Sequence, residues 1–240
     1  MKDKVYSRPL TEIRPFEFDD KVADVFDNMI RRSVPGYESL LELIGVLSGK
    51  YGQPDSNCYD LGCSLGATTL QIRRHLQYSS CSVTAVDNSA AMVNRCKKIL
   101  ERDHSSAKVQ VKCEDARETE IERASIVALN FTLQFIPPDD RFRLLKKIYD
   151  GLNSEGILIL SEKVSFDTGD EQSLMTELHH AFKKDQGYSD LEIAQKRTSL
   201  ENVLVPDTIQ THLARLDACG FREAFVIFRA FNFISILAVR

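Results

Sequence analysis

The segment Asp60-Leu61-Gly62-Cys63-Ser64-Leu65-Gly66 joins a short apolar run to a helical pattern. Glycines in such a turn let a ligand approach the backbone, and the helix that follows presents amides at its N-terminus. The same spacing also suits a tight turn that binds nothing. Neighbouring residues add weight to the first reading. Asp87 ends a second apolar run about two dozen residues after Gly62, where an acidic side chain accepts hydrogen bonds from both hydroxyls of a ribose. Asp115 follows a third run and Asn130 ends a fourth. Each of these polar residues also fits a plain helix cap or turn. In an open parallel sheet, however, the carboxyl ends of neighbouring strands face one crevice, and all four runs end there in polar groups. The chemistry expected is recognition of a nucleoside-bearing ligand.

For these residues to meet, short strands must alternate with helices, and from Asn57 onward they do. The apolar runs are Cys58–Leu61, Ser82–Val86, Lys108–Cys113, Ala124–Leu129 and Gly156–Leu160. Helical patterns over Ala67–Leu76, Ala90–Arg102 and Asp139–Leu152 separate them, the last entered through Pro137 and Pro138. The final runs, Ala224–Ala230 and Phe233–Val239, are joined only by Phe231-Asn232. A parallel crossover needs a dozen or more residues, so this pair reads as an antiparallel hairpin. Two segments stand outside the alternation. Residues 1–50 are helical from Lys21 and suited to covering the crevice, and residues 169–203 form a helical insertion suited to a lid or subunit contact.

The chain has 240 residues, enough for one large domain with a substantial core. No run approaches the roughly 18 apolar residues that span a bilayer, and the N-terminus lacks the apolar core of a secretory signal. A cytoplasmic address follows as the expectation. The net charge is −4, and the basic residues come as scattered pairs suited to solvated helix faces. No concentrated basic footprint speaks for direct nucleic-acid binding. The six cysteines form no C-x-x-C pair and have no histidine at zinc-ligand spacing, so no metal is expected. Cys58, Cys81 and Cys113, in or beside strands, read as small buried hydrophobes. His179 and His180 are adjacent on a helix and point different ways, which disfavours a shared ion.

The turn and the polar strand ends resemble those of the class I S-adenosylmethionine-dependent methyltransferases, from residue 57 to the C-terminus. That resemblance implies a Rossmann-like α/β fold, with a mostly parallel seven-stranded sheet and a C-terminal antiparallel hairpin, in a single S-adenosylmethionine-binding domain over residues 1–240. It places Gly62, Cys63 and Ser64 beside the methionine part, Asp87 and Asn88 at the ribose and adenine, and Asp115 and Ala116 at the adenine. Ser64 departs from the common pattern, in which a glycine is usual. The change disfavours a dinucleotide, whose pyrophosphate needs closer backbone approach.

A narrower resemblance extends over nearly the whole chain. The segments Arg32-Ser33-Val34-Pro35-Gly36-Tyr37, Tyr59 to Ala67, Asn130-Phe131-Thr132-Leu133-Gln134-Phe135, Leu160-Ser161-Glu162-Lys163, Gln195-Lys196-Arg197 and Leu200-Glu201-Asn202-Val203 are similar to those of the carboxy-S-adenosyl-L-methionine synthase family. The resemblance implies that prephenate supplies a carboxyl group to the sulfonium methyl, with release of phenylpyruvate. The family route removes a methyl proton and captures carbon dioxide from prephenate, whose own leaving hydroxide takes the proton, so no protein base is required. The product serves a second enzyme that modifies a wobble uridine of transfer RNA, and the family is dimeric. Tyr37 and Asn130 would contact the ligand. Arg197 is the expected anchor for the new carboxylate, because a guanidinium meets a carboxylate in bidentate fashion. Glu162 and Glu201 receive no role. Open alternatives are an ordinary methyltransferase of a small molecule or RNA, a non-catalytic S-adenosylmethionine-binding module and, disfavoured by Ser64 and the hairpin, a nicotinamide oxidoreductase.

Overall fold

In the computed structural model, which describes residues 1–240, strands and helices alternate through the core of the chain. The order is α1 (Asp20–Ser33), α2 (Tyr37–Tyr51), β1 (Asn57–Leu61), α3 (Ala67–His75), β2 (Ser82–Asp87), α4 (Ala90–Leu100), β3 (Lys108–Cys113) and β4 (Ala124–Asn130). There follow α5 (Pro138–Gly151), β5 (Leu152–Lys163), α6 (Gly169–Asp185), α7 (Asp190–Leu200), α8 (Ile209–Cys219), β6 (Glu223–Ala230) and β7 (Phe233–Val239). The strands form one sheet in the order β3-β2-β1-β4-β5-β7-β6. β1 to β5 pair in parallel, and β7 inserts antiparallel between β5 and β6. The short Phe231-Asn232 link forces that antiparallel pairing.

The two-residue period of a strand sorts the core into two layers. Val127 and Leu129 of β4, Leu158 and Leu160 of β5, and Ile234 and Ile236 of β7 pack with Leu144, Leu145 and Ile148 of α5 and Leu216 of α8. Ile126 and Ala128, Ile157 and Ile159, and Phe233 and Leu237 face the other way, onto Leu40, Leu41 and Ile44 of α2 and Ile72 of α3. A strand covered on both faces reads as an unbroken apolar run, as β4 does until Asn130.

Two expectations need correction. β5 runs over Leu152–Lys163, well beyond Gly156–Leu160, because β7 offers backbone partners to Ser161, Glu162 and Lys163, and Leu152 pairs with Ala124 across a register shift. Cys113 is exposed while Cys58 and Cys81 are buried, since β3 is the sheet edge and its last side chain has no neighbouring strand beyond it.

The N-terminal segment is fastened over the carboxyl ends of the strands. Asp19 caps α1 by accepting from Val22 N at 2.9 Å. Ser89, just past β2, donates to Phe18 O at 2.6 Å, and Arg95 of α4 holds Asp20 and Asp24 at 2.8 and 2.6 Å. The Phe18 ring meets Phe135, beyond β4, edge-on at 5.4 Å. The segment that leads into α1 thereby bridges, through Phe18, from the β2 side of the crevice to the β4 side.

Candidate active site

Gly62 begins the turn after β1 with φ +85°, a left-handed conformation that L side chains rarely adopt. A Cβ there would run into Oγ1 of Thr132 and stand 2.6 Å from its Cγ2. The close approach that requires glycine is thus to the segment after β4. The amides of the turn are also taken within the fold. Gly62 N and Cys63 N both donate to Val86 O, at 2.7 and 2.8 Å, and Ser64 N donates to Asp87 Oδ2 at 2.9 Å. These three amides are therefore not free donors for a ligand. Ser64 holds φ +50° without being glycine, and its N–H bond to Asp87 offsets part of the strain of that conformation. Cys63 is buried, its thiol pushed well up by Cys96 and by burial.

What faces the crevice is side-chain polarity. Asp60, within β1, is fully buried. Its Oδ2 accepts from Thr69 Oγ1 at 2.5 Å, while its Oδ1 has no partner. Burial pushes its pKa up to about 7 against the pull of the Thr69 donors. Asn130, at the end of β4, donates from Nδ2 to Thr68 Oγ1 at 2.9 Å, and its Oδ1 is likewise buried and unpartnered. Tyr37, at the start of α2, is buried within electrostatic reach of Asp60, and burial then that carboxylate raise its pKa. Asp87 accepts from Ser64 N and, at 2.9 Å through Oδ1, from Ser89 N; burial raises its pKa and the two amides oppose the rise. Asn88 beside it is exposed.

Across the crevice, Asp115 is held by Arg117, whose Nη2 lies 2.7 Å from Oδ2 and whose Nη1 reaches Asp140 at 2.6 Å. The bonds from Arg117 hold the Asp115 carboxyl below its usual range. Ala116 is buried in the same apolar cluster as Leu61 and Val86, and its N–H donates to no acceptor in the chain.

A methyltransferase-domain model matches residues 59–156, the segment from β1 into β5. The fold also resembles human N-acetylserotonin methyltransferase in complex with S-adenosylmethionine, at TM-score 0.59 and 18% identity over 92% of this chain and 55% of that one. It resembles a cyclopropane synthase of Mycobacterium tuberculosis at TM-score 0.58 and 16% identity, over 77% of this chain and 62% of that one. These likenesses carry the fold: it is the Rossmann-like class I methyltransferase fold. Sequence similarity reaches further. The carboxy-S-adenosyl-L-methionine synthase of Vibrio cholerae is 52% identical over 239 residues, covering 100% of this chain and 97% of that protein. That of Trichlorobacter lovleyi is 51% identical over 239 residues, 99% of this chain and 98% of the other. The chain belongs to the carboxy-S-adenosyl-L-methionine synthase family.

The ligand implied for a carboxy-S-adenosyl-L-methionine synthase is cationic at its sulfonium and ammonium groups, and the crevice fits it. Two buried acceptors, Asp60 Oδ1 and Asn130 Oδ1, lack donors, and an unmet buried acceptor costs about 1–3 kcal/mol. The ammonium group of S-adenosylmethionine would give both acceptors a donor, and Asp87 ends β2, the place from which an acidic side chain can reach ribose hydroxyls in such sheets.

Asp60 was not singled out from sequence, although a carboxylate inside the run Cys58-Tyr59-Asp60-Leu61 is the signal that could have found it. Its raised pKa has a testable sign. Between about pH 4 and about pH 7 the folded protein keeps the Asp60 proton and the unfolded chain has lost it. The contribution of Asp60 to ligand-free stability therefore falls as pH rises through that window, by about 1.4 kcal/mol per pH unit. Urea unfolding of wild type and Asp60→Asn, subtracted at each pH, is expected to show that slope and a plateau above about pH 7. A flat difference curve would return Asp60 to the ordinary carboxylate range.

Arg197 lies on the exposed face of α7 and makes no hydrogen bond or ion pair. It stands near His180 of α6, whose pKa it helps depress after burial and Lys183. Three residues on, Leu200 joins the cluster of Met92 and Leu65 beside the glycine turn. The fold brings Tyr37, Gly62, Cys63, Ser64, Asp87 and Asn130 to one crevice, and Arg197 flanks it without touching any of them. Glu162 accepts from Leu133 N at 3.0 Å and is fully enclosed, where it caps the turn after β4.

Proposed function

We propose that this chain is a transferase that carboxylates the sulfonium methyl of S-adenosylmethionine. Prephenate supplies the carboxyl group and leaves as phenylpyruvate and water, so that one carbon dioxide is added and every atom is placed. The observation that carries this reading is the meeting of two segments outside the nucleotide-binding core. Lys196 Nζ, beside Arg197, donates to Ser33 Oγ at 3.1 Å. The Arg32–Tyr37 and Gln195–Val203 blocks, far apart in sequence, therefore share one wall of the crevice.

In this reading Asp60, Asn130 and Tyr37 hold the amino-acid part, Gly62, Cys63 and Ser64 shape its floor, Asp87 and Asn88 take the ribose side, and Asp115 and Ala116 take the adenine. The unpaired guanidinium of Arg197 receives the new carboxylate. Residues 1–240 act as one ligand-binding unit, with residues 1–50 as its cover. The 169–203 insertion serves as a contact between two copies, a role supported by the exposed Leu174 and Leu178 of α6. No helix is long and apolar enough to cross a membrane, and six free cysteines suit a reducing cytoplasm. The product passes to a second enzyme that modifies a wobble uridine in transfer RNA.

The test is mass spectrometry of the small molecules after the protein is incubated with S-adenosylmethionine and prephenate. A new species heavier than S-adenosylmethionine by one carbon dioxide, with matching phenylpyruvate, is expected. Untouched prephenate with unmodified S-adenosylmethionine, or its demethylated product, would exclude the carboxylation.

A further inference from the structure

Beside the crevice the fold gathers an unusual set of buried cations. Arg32, at the end of α1, is 8% exposed, and Lys183 of α6 and Lys196 of α7 are 6% and 7% exposed. The Arg32 guanidinium lies 3.8 Å over the Tyr188 ring, and both lysine ammonium groups stand about the same ring, at 5.9 and 6.0 Å. Lys163, the last residue of β5, is close enough to lower the pKa of Lys183. Against these four cations the fold sets one buried carboxylate, Asp3, and its Oδ2 is occupied by the Tyr188 hydroxyl at 2.5 Å. No ion pair within 4 Å involves any of the four.

Donors are left over. Arg32 Nε donates to Gln186 O at 2.8 Å and Nη1 to Asp3 O at 3.4 Å, but Nη2 is buried with no acceptor. Lys196 Nζ has Ser33 Oγ alone, and His179 Nε2 donates to Ser33 O at 2.8 Å. Each buried ion costs several kcal/mol unless it is paired, and like charges add to that. The strain is visible in the lysines: burial, then neighbouring Lys163, brings Lys183 down to about 8, and burial, then Lys183, brings Lys196 down to about 7. Burial also keeps His179 neutral, at about 3. His180, half-buried, links the group to Arg197.

The position matters as much as the charge. Lys163 stands two residues beyond Ser161, the register partner of Asn130. Ser33 belongs to the same turn as Tyr37, which faces Asp60. The cations thus lie beside the part of the crevice that Asn130 and Tyr37 line.

We propose that Arg32, Lys163, Lys183 and Lys196 form the binding site for the dicarboxylate co-substrate, with the Tyr188 ring as its wall. The identity of that dicarboxylate as prephenate rests on the carboxylation reading; the anion site itself rests on the cluster. Two carboxylates neutralise the excess charge and give acceptors to Arg32 Nη2 and to the lysines. A bound dianion raises both lysine pKa values, so it is taken up together with protons. Its affinity falls as pH rises through about 7 and about 8, where Lys196 and Lys183 lose their charge.

The experiment is calorimetric titration of the full chain with prephenate, at a pH of about 8 and in two buffers of different ionisation enthalpy. Expected are net proton uptake in wild type and affinity weakened by roughly tenfold or more in both Lys183→Met and Lys163→Gln, as for loss of a charge-assisted bond. S-adenosylmethionine affinity and melting temperature should not fall, because each change removes one of several like charges. Absence of prephenate binding, unaltered affinity in both variants, or inorganic phosphate binding as tightly as prephenate would each overturn the assignment. Binding through these lysines without any carboxylated product would leave the site standing and refute the carboxylation. Product formed at an unchanged prephenate KM in both variants would do the reverse.

Discussion

Arg197→Ala is expected to yield a folded protein that binds S-adenosylmethionine normally and makes the carboxylated product roughly 10–150-fold more slowly, or retains it that much more weakly. The magnitude is that of a charge-assisted bond between a guanidinium and a carboxylate, about 1.5–3 kcal/mol. Normal folding is expected because the side chain is exposed and makes no hydrogen bond or ion pair to lose. Lysine at this position should restore only part of the effect, since an ammonium lacks the bidentate fork. Quantifying product by mass spectrometry, with S-adenosylmethionine affinity and thermal melting in parallel, separates the roles. Wild-type product yield in Arg197→Ala would remove Arg197 from the site. Equal losses in yield, S-adenosylmethionine binding and melting temperature would make it a structural residue.

Gly62→Ala should act in the opposite way, on the fold first. Alanine held at φ +85° costs about 1–2 kcal/mol. Forcing a methyl group against Thr132 adds about 1–3 kcal/mol of overpacking. For a chain of this size the sum lowers the melting temperature by roughly 4–20 °C. The two contributions can be separated. Adding Thr132→Gly gives the methyl room but leaves the backbone strain, so the double variant should recover part of the loss attributed to overpacking. If Gly62→Ala melts like wild type, the Gly62–Thr132 contact does not decide this position.

The alternation of apolar runs and helical patterns is local information. It follows from side-chain periodicity and from Gly and Pro at the turns, and it placed every strand of the sheet within a few residues except β5. The hairpin was legible for a similar reason, since Phe231-Asn232 is too short for anything else. β5 runs past its apolar stretch because Ser161-Glu162-Lys163, though polar, pair with β7, and Leu152 pairs with Ala124 of β4 across a register shift that spans the polar Asn153-Ser154-Glu155. Cys113 was misjudged because edge and centre strands look alike over six residues.

By itself the sequence determined the strand ends that carry Gly62, Asp87, Asp115 and Asn130, and the family whose blocks run from Arg32 to Val203. Tertiary structure decided what those residues face. It gave the turn amides to Val86 and Asp87, required Gly62 through Thr132, tied Asp115 to Arg117, and left Asp60 and Asn130 with unpaired acceptors in the crevice. It alone assembled Arg32, Lys163, Lys183, Lys196 and Tyr188, which no spacing connects. The physical reason is range. Periodicity and turn chemistry act over a few residues of chain, whereas burial and unmet hydrogen bonds depend on which distant elements pack together.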